Sequence, residues 1–333
     1  MRVTIGDVAA HAGVSKTTVS RVLNAKGEVD AGTAQRVQDV IDRLGYVPSA
    51  RAVGLALGRT NTVGMLVPSL GWPWMSEIVQ GVADTLEAQK YGLLLYTCTR
   101  GKDSLDQFAS SVAANSCDGL IVVAPEEGLG HITDLYERGL PVVLIDDRAS
   151  HPPLPTVVCT NRGGGESAAR HLLEQGRTQP IVLTGIHDFG CVQERLAGFL
   201  AVYREAGHEL SADQVIEGDF TVDCGRAAVG ELASTGRSFD AVFAMNDLSA
   251  AGVIGGIREM GRRIPDDVAV VGFDDVAVAA HTDPPLTTIR QPMREMGVAA
   301  TEMLLAALRG APLPSEPTVL ETSLVIRGST VPR

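Results

Sequence analysis

Aromatic residues are scarce in this chain of 333 residues, at 4%, and its two tryptophans lie within three positions of each other, at 72 and 74. No apolar run approaches the roughly 18 residues of a membrane-spanning helix, and Met1-Arg-Val-Thr-Ile-Gly-Asp lacks the basic segment, apolar stretch and cleavage site of a secretory signal. A cytoplasmic location is therefore expected. Five cysteines, at 98, 117, 159, 191 and 224, form no C-x-x-C pair and are odd in number. They argue against a zinc site or a disulfide framework, read as small buried hydrophobes, and suit a reducing compartment. Gly163-Gly-Gly165 lacks the G-x-G-x-x-G spacing, and there is no Walker lysine. Asp146, Asp274, His187 and His281 could be imagined as acid/base groups, but no nucleophile elbow, metal spacing or cofactor loop accompanies them. Neither an enzyme nor a cofactor is expected.

What is present is an ordinary globular composition, 45% hydrophobic and 20% charged, long enough for two or three domains. The net charge of -12, taken whole, argues against a nucleic-acid partner, because phosphate binding draws on Lys and Arg. The average hides a split. Residues 1–60 hold eight basic side chains (Arg2, Lys16, Arg21, Lys26, Arg36, Arg43, Arg51, Arg59) against five acidic ones (Asp7, Glu28, Asp30, Asp39, Asp42), so the head is at +3 and the remainder at -15. A small basic module precedes a large acidic one.

In the head, Ile5, Val8, Ala9 and Ala12 recur at helical spacing, Gly13 follows, and Ser15 can cap a second helix carrying Val19, Val22 and Leu23. A helix-turn-helix needs a small residue where its helices cross, a Gly for the turn and an apolar anchor on the second helix; Ala9, Gly13 and Val19 stand at those offsets. The outward face of the second helix gathers Lys16, Thr17, Ser20 and Arg21, donors with no acid among them, as a major groove requires. A third helix, capped by Asp30 and ended by Gly45, carries Val37, Val40, Ile41 and Leu44 on one face and closes a small core.

Three blocks in order, V-T-I-G-D-V-A-A-H-A-G-V-S-K-T-T-V-S-R-V-L-N at 3–24, G-Y-V-P-S-A at 45–50 and G-R-T-N-T-V-G at 58–64, resemble the lactose-repressor (LacI/GalR) family of bacterial transcription regulators. The resemblance covers nearly the whole chain. It implies that Lys16 and Thr17 are the base-reading pair, with Thr4, Thr18, Ser20, Arg21 and Asn24 contacting bases or phosphates nearby. It also implies that Ser49 to Leu57 forms a hinge helix in the minor groove, with Ala52 at the DNA and Leu55 wedged between base pairs. A segment of that length with Gly54 inside it is too poor in helix propensity to be stable alone, and Leu55 is an apolar wedge of the kind minor-groove benders use. Glu28 departs from expectation, an acid near the presumed DNA surface.

After Asn61 short apolar runs alternate with amphipathic helices: Val63-Gly-Met-Leu-Val, Gly92-Leu-Leu-Leu-Tyr, Gly119-Leu-Ile-Val-Val, Val142-Val-Leu-Ile, then a second series from Thr156-Val-Val-Cys to Val268-Ala-Val-Val-Gly-Phe. This βαβ pattern implies two doubly wound α/β halves with parallel sheets facing each other across a cleft. The resemblance names the architecture as the periplasmic-binding-protein type I fold, in which the chain crosses three times between halves. The expected division is a head at 1–47, a hinge helix and linker at 48–60, and a body at 61–333. Within the body, the first half takes 61–159 and 291–319, the second 160–290 and 320–333.

Polar side chains at strand carboxyl ends should line the cleft. Carried over by position, the resemblance points to Asp146, Arg195, Phe220, Asn246, Asp274 and Gln291 as effector contacts. Such a set suits a sugar, since carboxylate, guanidinium and amide groups bond in pairs across vicinal hydroxyls. Asp146, Asp247 or Asp275 could instead cap the helices that follow them. The first loop, Val67-Pro-Ser-Leu-Gly-Trp-Pro-Trp-Met75, departs from the family pattern V-P-D-x-x-N-P-F-F, and its indoles suggest a stacking platform of Trp72 or Trp74. Thr160 likewise stands where Asp is common. The expected function is a sequence-specific repressor of sugar uptake or catabolic genes, governed by a sugar-like effector. Its partners are double-stranded operator DNA and a second copy of the chain. A dimer is preferred to a tetramer because Leu324-Val-Ile-Arg is followed by no leucine heptads. A solute-binding transport protein would share the body but not the basic head.

Overall fold

The computed structural model describes residues 3–23, 29–47, 59–113, 116–125, 129–146, 153–187 and 189–331. Two compact units result, Met1–Asn61 and Thr62–Arg333. The hinge helix at 49–57, with Ala52 and Leu55, lies outside the described residues, as do Asn24 and Glu28.

The head is three helices, Ile5–Ala12, Lys16–Leu23 and Ala31–Leu44. The three starts, and the ends of the first and third helices, have local causes. Thr4 caps the first helix in a reciprocal box with Asp7, and Gly13 ends it in the left-handed region at φ 67. Ser15 Oγ accepts from the Thr18 backbone N–H at 3.1 Å, and Asp30 does the same for Thr33 at 2.9 Å. Val8, Ala9, Ala12, Val19, Val37, Val40 and Ile41 form the buried core that joins the helices.

The body holds two six-stranded sheets. The first takes β1 Thr62–Val67, β2 Gly92–Thr97, β3 Gly119–Val123, β4 Val142–Ile145, β5 Thr156–Cys159 and β11 Thr318–Leu320, in the order β11-β5-β4-β3-β1-β2. The second takes β6 Pro180–Leu183, β7 Val215–Ile216, β8 Ala241–Ala244, β9 Ala269–Asp274, β10 Thr287–Arg290 and β12 Ser323–Val325, in the order β12-β10-β9-β8-β6-β7. The two orders match strand for strand. Every pairing is parallel except β12 against β10, which is antiparallel. The halves are the expected parallel sheets, and the one antiparallel pair sits at an edge, where β12 enters the second sheet directly after β11 has closed the first.

Helices cover both faces of each sheet, so the strands read as nearly continuous apolar runs. Along β1, Val63, Met65 and Val67 pack with helices Met75–Ala88 and Met293–Leu308, while Leu66 faces Lys102–Ala113 and Leu129–Glu137. In the second sheet, Val182, Phe243, Val271 and Phe273 meet helices Asn161–Glu174 and Gly190–Glu205, and Ile181, Val242 and Val270 meet Val222–Thr235 and Asp247–Glu259. The helix pair 161–174 and 190–205 crosses at glycines: a Cβ at Gly165 would overlap the Arg195 carbonyl, and one at Gly198 the Arg162 carbonyl. This close approach sets the height at which the Arg195 side chain leaves its helix.

The chain passes between halves after Cys159, around Gln291 and between Leu320 and Ser323. The crossings are stitched together. Thr160 N–H donates to the Leu320 carbonyl at 3.0 Å, Thr322 N–H donates to Thr160 Oγ1 at 2.9 Å, and Thr160 Oγ1 reaches the Glu321 carboxylate at 3.2 Å. A hydroxyl, which both donates and accepts, makes the last two of these bonds where a carboxylate could only accept.

Candidate functional site

On the head, the helix Lys16–Leu23 buries Val19 and exposes Lys16, Thr17 and Arg21, with Thr18 and Ser20 half-buried. Its only charged side chains are Lys16 and Arg21. Its N-terminus, where unpaired backbone N–H groups favour an anion, lies on the same segment as Lys16 and Thr17. Two of the expected DNA contacts also serve the fold. Thr18 Oγ1 and Ser15 Oγ are hydrogen-bonded at 2.9 Å, and the Thr4 hydroxyl donates to Asp7 at 2.7 Å, holding the Asp7 carboxyl below its usual range.

In the body, a cavity of about 270 Å³ opens between the two sheets at their carboxyl ends. Trp72, Trp74, Asp146, Arg195, Phe220, Asn246, Asp274 and Gln291 all line it. Strand ends deliver most of them: Asp146 follows β4, Asn246 lies just past β8, Asp274 ends β9, and Gln291 follows β10. Three of these positions adopt left-handed backbone: Asp146 (φ 58), Phe220 (φ 68) and Asp274 (φ 114). For non-glycine residues such conformations cost roughly 1–3 kcal/mol each and collect at ligand sites.

Arg195, 5% exposed, is held from several sides. Its Nε donates to Asn161 Oδ1 at 2.9 Å and its Nη1 to the Met245 carbonyl at 2.7 Å, with Asp274 Oδ1 at 4.0 Å. The guanidinium lies 3.6 Å above the Phe273 ring. Gln291 Nε2 donates to Asp274 Oδ1 at 2.6 Å, and Gln291 Oε1 accepts from the Cys159 thiol at 3.1 Å. A polar chain therefore runs from the end of β5 in the first half to the start of the 161–174 helix in the second. Burial raises the Asp274 carboxyl to about 6, against the opposing pull of Arg195 and the Gln291 hydrogen bond. Burial also raises Cys159, to about 12, so it is a thiol here.

Other residues are committed to the scaffold. Asn246 caps the helix Asp247–Glu259, accepting from Ser249 N–H at 2.9 Å, and its Nδ2 donates to the Phe220 carbonyl at 2.9 Å. The capping roles open to Asp247 and Asp275 are not taken up. Asp247, fully buried, accepts from Val276 N–H at 2.8 Å and from the Thr288 hydroxyl at 2.5 Å, and burial together with the nearby Asp274 charge pushes its carboxyl well above the usual range. Asp275 pairs with Arg290 at 2.7 Å and Arg327 at 2.6 Å. The two aspartates thus clamp the turn that carries Asp274.

Aromatic rings face the cavity from both halves. Trp72 and Trp74 lie 5.5 Å apart and tilted by 30°; Phe189 and Phe220 stack at 6.0 Å. Phe189 and Asp219 line the site but were missed by sequence reasoning. Both follow strand ends, β6 and β7, and so carried the same signal as the residues that were found. Among the described lining side chains three are carboxylates (Asp146, Asp219, Asp274) and one is a cation, Arg195. No group of three or more His, Cys, Asp or Glu able to hold a metal exists among the described residues.

Comparison with known proteins gives two family matches: bacterial regulatory proteins of the lacI family over residues 4–49, and the periplasmic binding protein-like domain over 169–330. The chain is 32% identical over 333 residues to the HTH-type transcriptional repressor PurR of Aliivibrio fischeri, covering 99% of each chain. Among solved structures it is similar to the transcriptional regulator CelR–cellobiose complex (34% identity, TM-score 0.75, 98% of this chain and 100% of that one). It is also similar to the lac repressor dimer bound to operator and the anti-inducer ONPF (27% identity, TM-score 0.89, 99% and 100%).

Proposed function

The chain belongs to the LacI family of bacterial regulatory proteins and is a DNA-binding transcriptional regulator; from that premise we propose how its two units divide the work. The head acts as half of a homodimeric repressor on a near-palindromic operator that controls sugar uptake or catabolism. Lys16 and Thr17 read base edges, and Thr4, Thr18, Ser20, Arg21 and Asn24 fix the register on phosphates and neighbouring bases. The segment 48–60 is the hinge, with Ala52 at the groove and Leu55 as its wedge. The body binds a neutral sugar-like effector in the cleft. That ligand stacks on Trp72 or Trp74, is faced by Phe220, and bonds to Arg195, Asp274, Asp146, Asn246 and Gln291.

The observation that carries this reading is the charge and shape of the cleft. Among the described residues, two aromatic pairs from opposite halves flank three carboxylates and one guanidinium. A phosphorylated or carboxylated ligand would meet a net negative wall, whereas vicinal hydroxyls find paired acceptors and a donor, with rings for the apolar face of the sugar. Because the cleft joins two halves, a ligand touching both stabilises one relative arrangement over another, the differential contact that allosteric control requires.

The test is a tryptophan-fluorescence titration against a panel of sugars, sugar phosphates and nucleobases, on the parent chain and on Arg195→Ala and Asp274→Ala. A neutral sugar is expected to bind and to lose at least tenfold in affinity in both variants. A sugar that alters operator affinity yet binds both variants as tightly as the parent overturns the site, as does exclusive binding of a nucleobase.

A further inference from the structure

On the second half, the phenyl ring of Phe220 reaches the cleft from a seat that exists only because one residue has no side chain. Gly185, just past β6, is buried, and a Cβ there would overlap Cζ, Cε1 and Cε2 of Phe220. The far edge of the ring therefore fills the place of a side chain at 185. Phe220 lines the cavity, whereas Gly185 lies outside its lining.

The surroundings hold the ring in that seat. Asn246 Nδ2 donates to the Phe220 carbonyl at 2.9 Å, and Asp219 accepts from the Thr221 N–H at 2.9 Å and from its hydroxyl at 2.6 Å. Gly218 lets the same loop lie close over the end of β6, since a Cβ there would come within 2.6 Å of the Thr184 carbonyl oxygen. Phe220 itself keeps a left-handed backbone at φ 68, a strained conformation that persists only where its neighbours fix it. Phe189 stacks beside the ring at 6.0 Å.

We propose that Gly185 is a specificity-determining position of the cleft: by leaving its side-chain space to Phe220, it sets how deep a sugar ring can sit. The inference rests on the sugar reading of the cleft and deepens it, naming what limits the size of the sugar. A methyl group at 185 must lift the ring, and with the Phe220 carbonyl tied to Asn246 the ring swings toward the cavity. That cavity, about 270 Å³, is already small beside the roughly 300–1,000 Å³ of ligand pockets. The lost depth falls hardest on the largest substituent of the ring, the hydroxymethyl group that separates a hexose from the matching pentose. Gly185 acts through Phe220, so its influence must vanish when the ring is absent.

The experiment is calorimetric titration of the full chain with three hexose–pentose pairs, glucose with xylose, galactose with L-arabinose and mannose with lyxose, and with maltose, lactose and cellobiose. It is repeated on Gly185→Ala, on Phe220→Leu, on the double variant, and on Gly230→Ala, a glycine with nothing within 4 Å of an added Cβ. Gly185→Ala should weaken every sugar that binds the parent by roughly tenfold or more, the scale of one misplaced methyl group in a pocket. In a pair whose members both bind, the hexose should lose more than the pentose. With Leu at 220 the same change at 185 should have little further effect, and Gly230→Ala should leave all affinities unchanged. Melting temperature repeats the cycle without ligand: Gly185→Ala should lower it more with Phe at 220 than with Leu. Affinities within twofold of the parent in Gly185→Ala, an equal loss across a pair, or a loss that recurs in full with Leu at 220 would overturn the role of Gly185 while Arg195-dependent sugar binding upholds the cleft reading. If none of these sugars binds the parent, both fall.

Discussion

The head and the body place their functional side chains in opposite ways. Lys16, Thr17 and Arg21 stand exposed on one short helix, which packs into the head core through Val19, Val22 and Leu23 instead. Arg195, Asp274, Gln291 and Asn246 are interlocked, each bonded to another part of the body as well as lining the cleft. A head contact can therefore change without disturbing the fold, so binding preference there is free to vary. The cleft joins recognition to stability, because the bonds that orient its side chains also hold the two halves together.

The largest expected effect on this contrast comes from Arg195→Ala. Removing a buried guanidinium strands Asn161, the Met245 carbonyl and Asp274, so stability of the body should fall by about 3–5 kcal/mol along with effector binding. Chemical denaturation that shows less than about 1 kcal/mol would mean the residue is no keystone. Lys16→Ala should move melting by no more than a surface change does, within about 0.5 kcal/mol. Substitutions at Lys16 or Thr17 should instead alter the preferred base pairs by about 1–3 kcal/mol per bidentate contact, read by binding to a randomised operator library. If melting and base preference shift together there, the separation of roles is broken.

A third test uses pH. The folded Asp274 holds its proton up to about 6, against an ordinary value of 3.8, so between those values the native state binds more protons than the unfolded chain. Stability of the body must then fall as pH rises through that window, by up to about 1.4 kcal/mol per pH unit for one proton. Asp247, also raised, acts in the same direction. Asp274→Asn should flatten the slope measured by denaturant melts at successive pH values, and an unchanged slope would assign it elsewhere. The smallest effect is expected from Thr4→Ala, which removes the first cap and should cost the head about 1 kcal/mol without touching the body; hydrogen exchange in the first helix resolves it.

Legibility in the sequence follows the same divide. The caps Thr4, Ser15 and Asp30 and the turns at Gly13 and Gly45 act within four residues, so a local pattern reveals them. Strand-end position brought Asp146, Asn246, Asp274 and Gln291 to one cavity because parallel strands present their carboxyl ends on one side. What stayed hidden depends on long-range pairing. Whether Asp247 caps its own helix or braces Val276 and Thr288 is decided by residues 29 and 41 positions away, and the antiparallel return of β12 depends on a partner strand far earlier in the chain. Phe189 needed no such contact; its strand-end position was readable and was passed over.

If the cleft governs the head, the coupling between effector and operator must be reciprocal. Operator affinity of the full chain is measured with and without saturating effector, and effector affinity with and without saturating operator, at one salt concentration. Each ligand should change the affinity of the other by the same factor, about 5- to 150-fold for a typical coupling, and Arg195→Ala should abolish the effector's influence while operator binding remains. A factor of one in both directions, with each ligand bound independently, would contradict it.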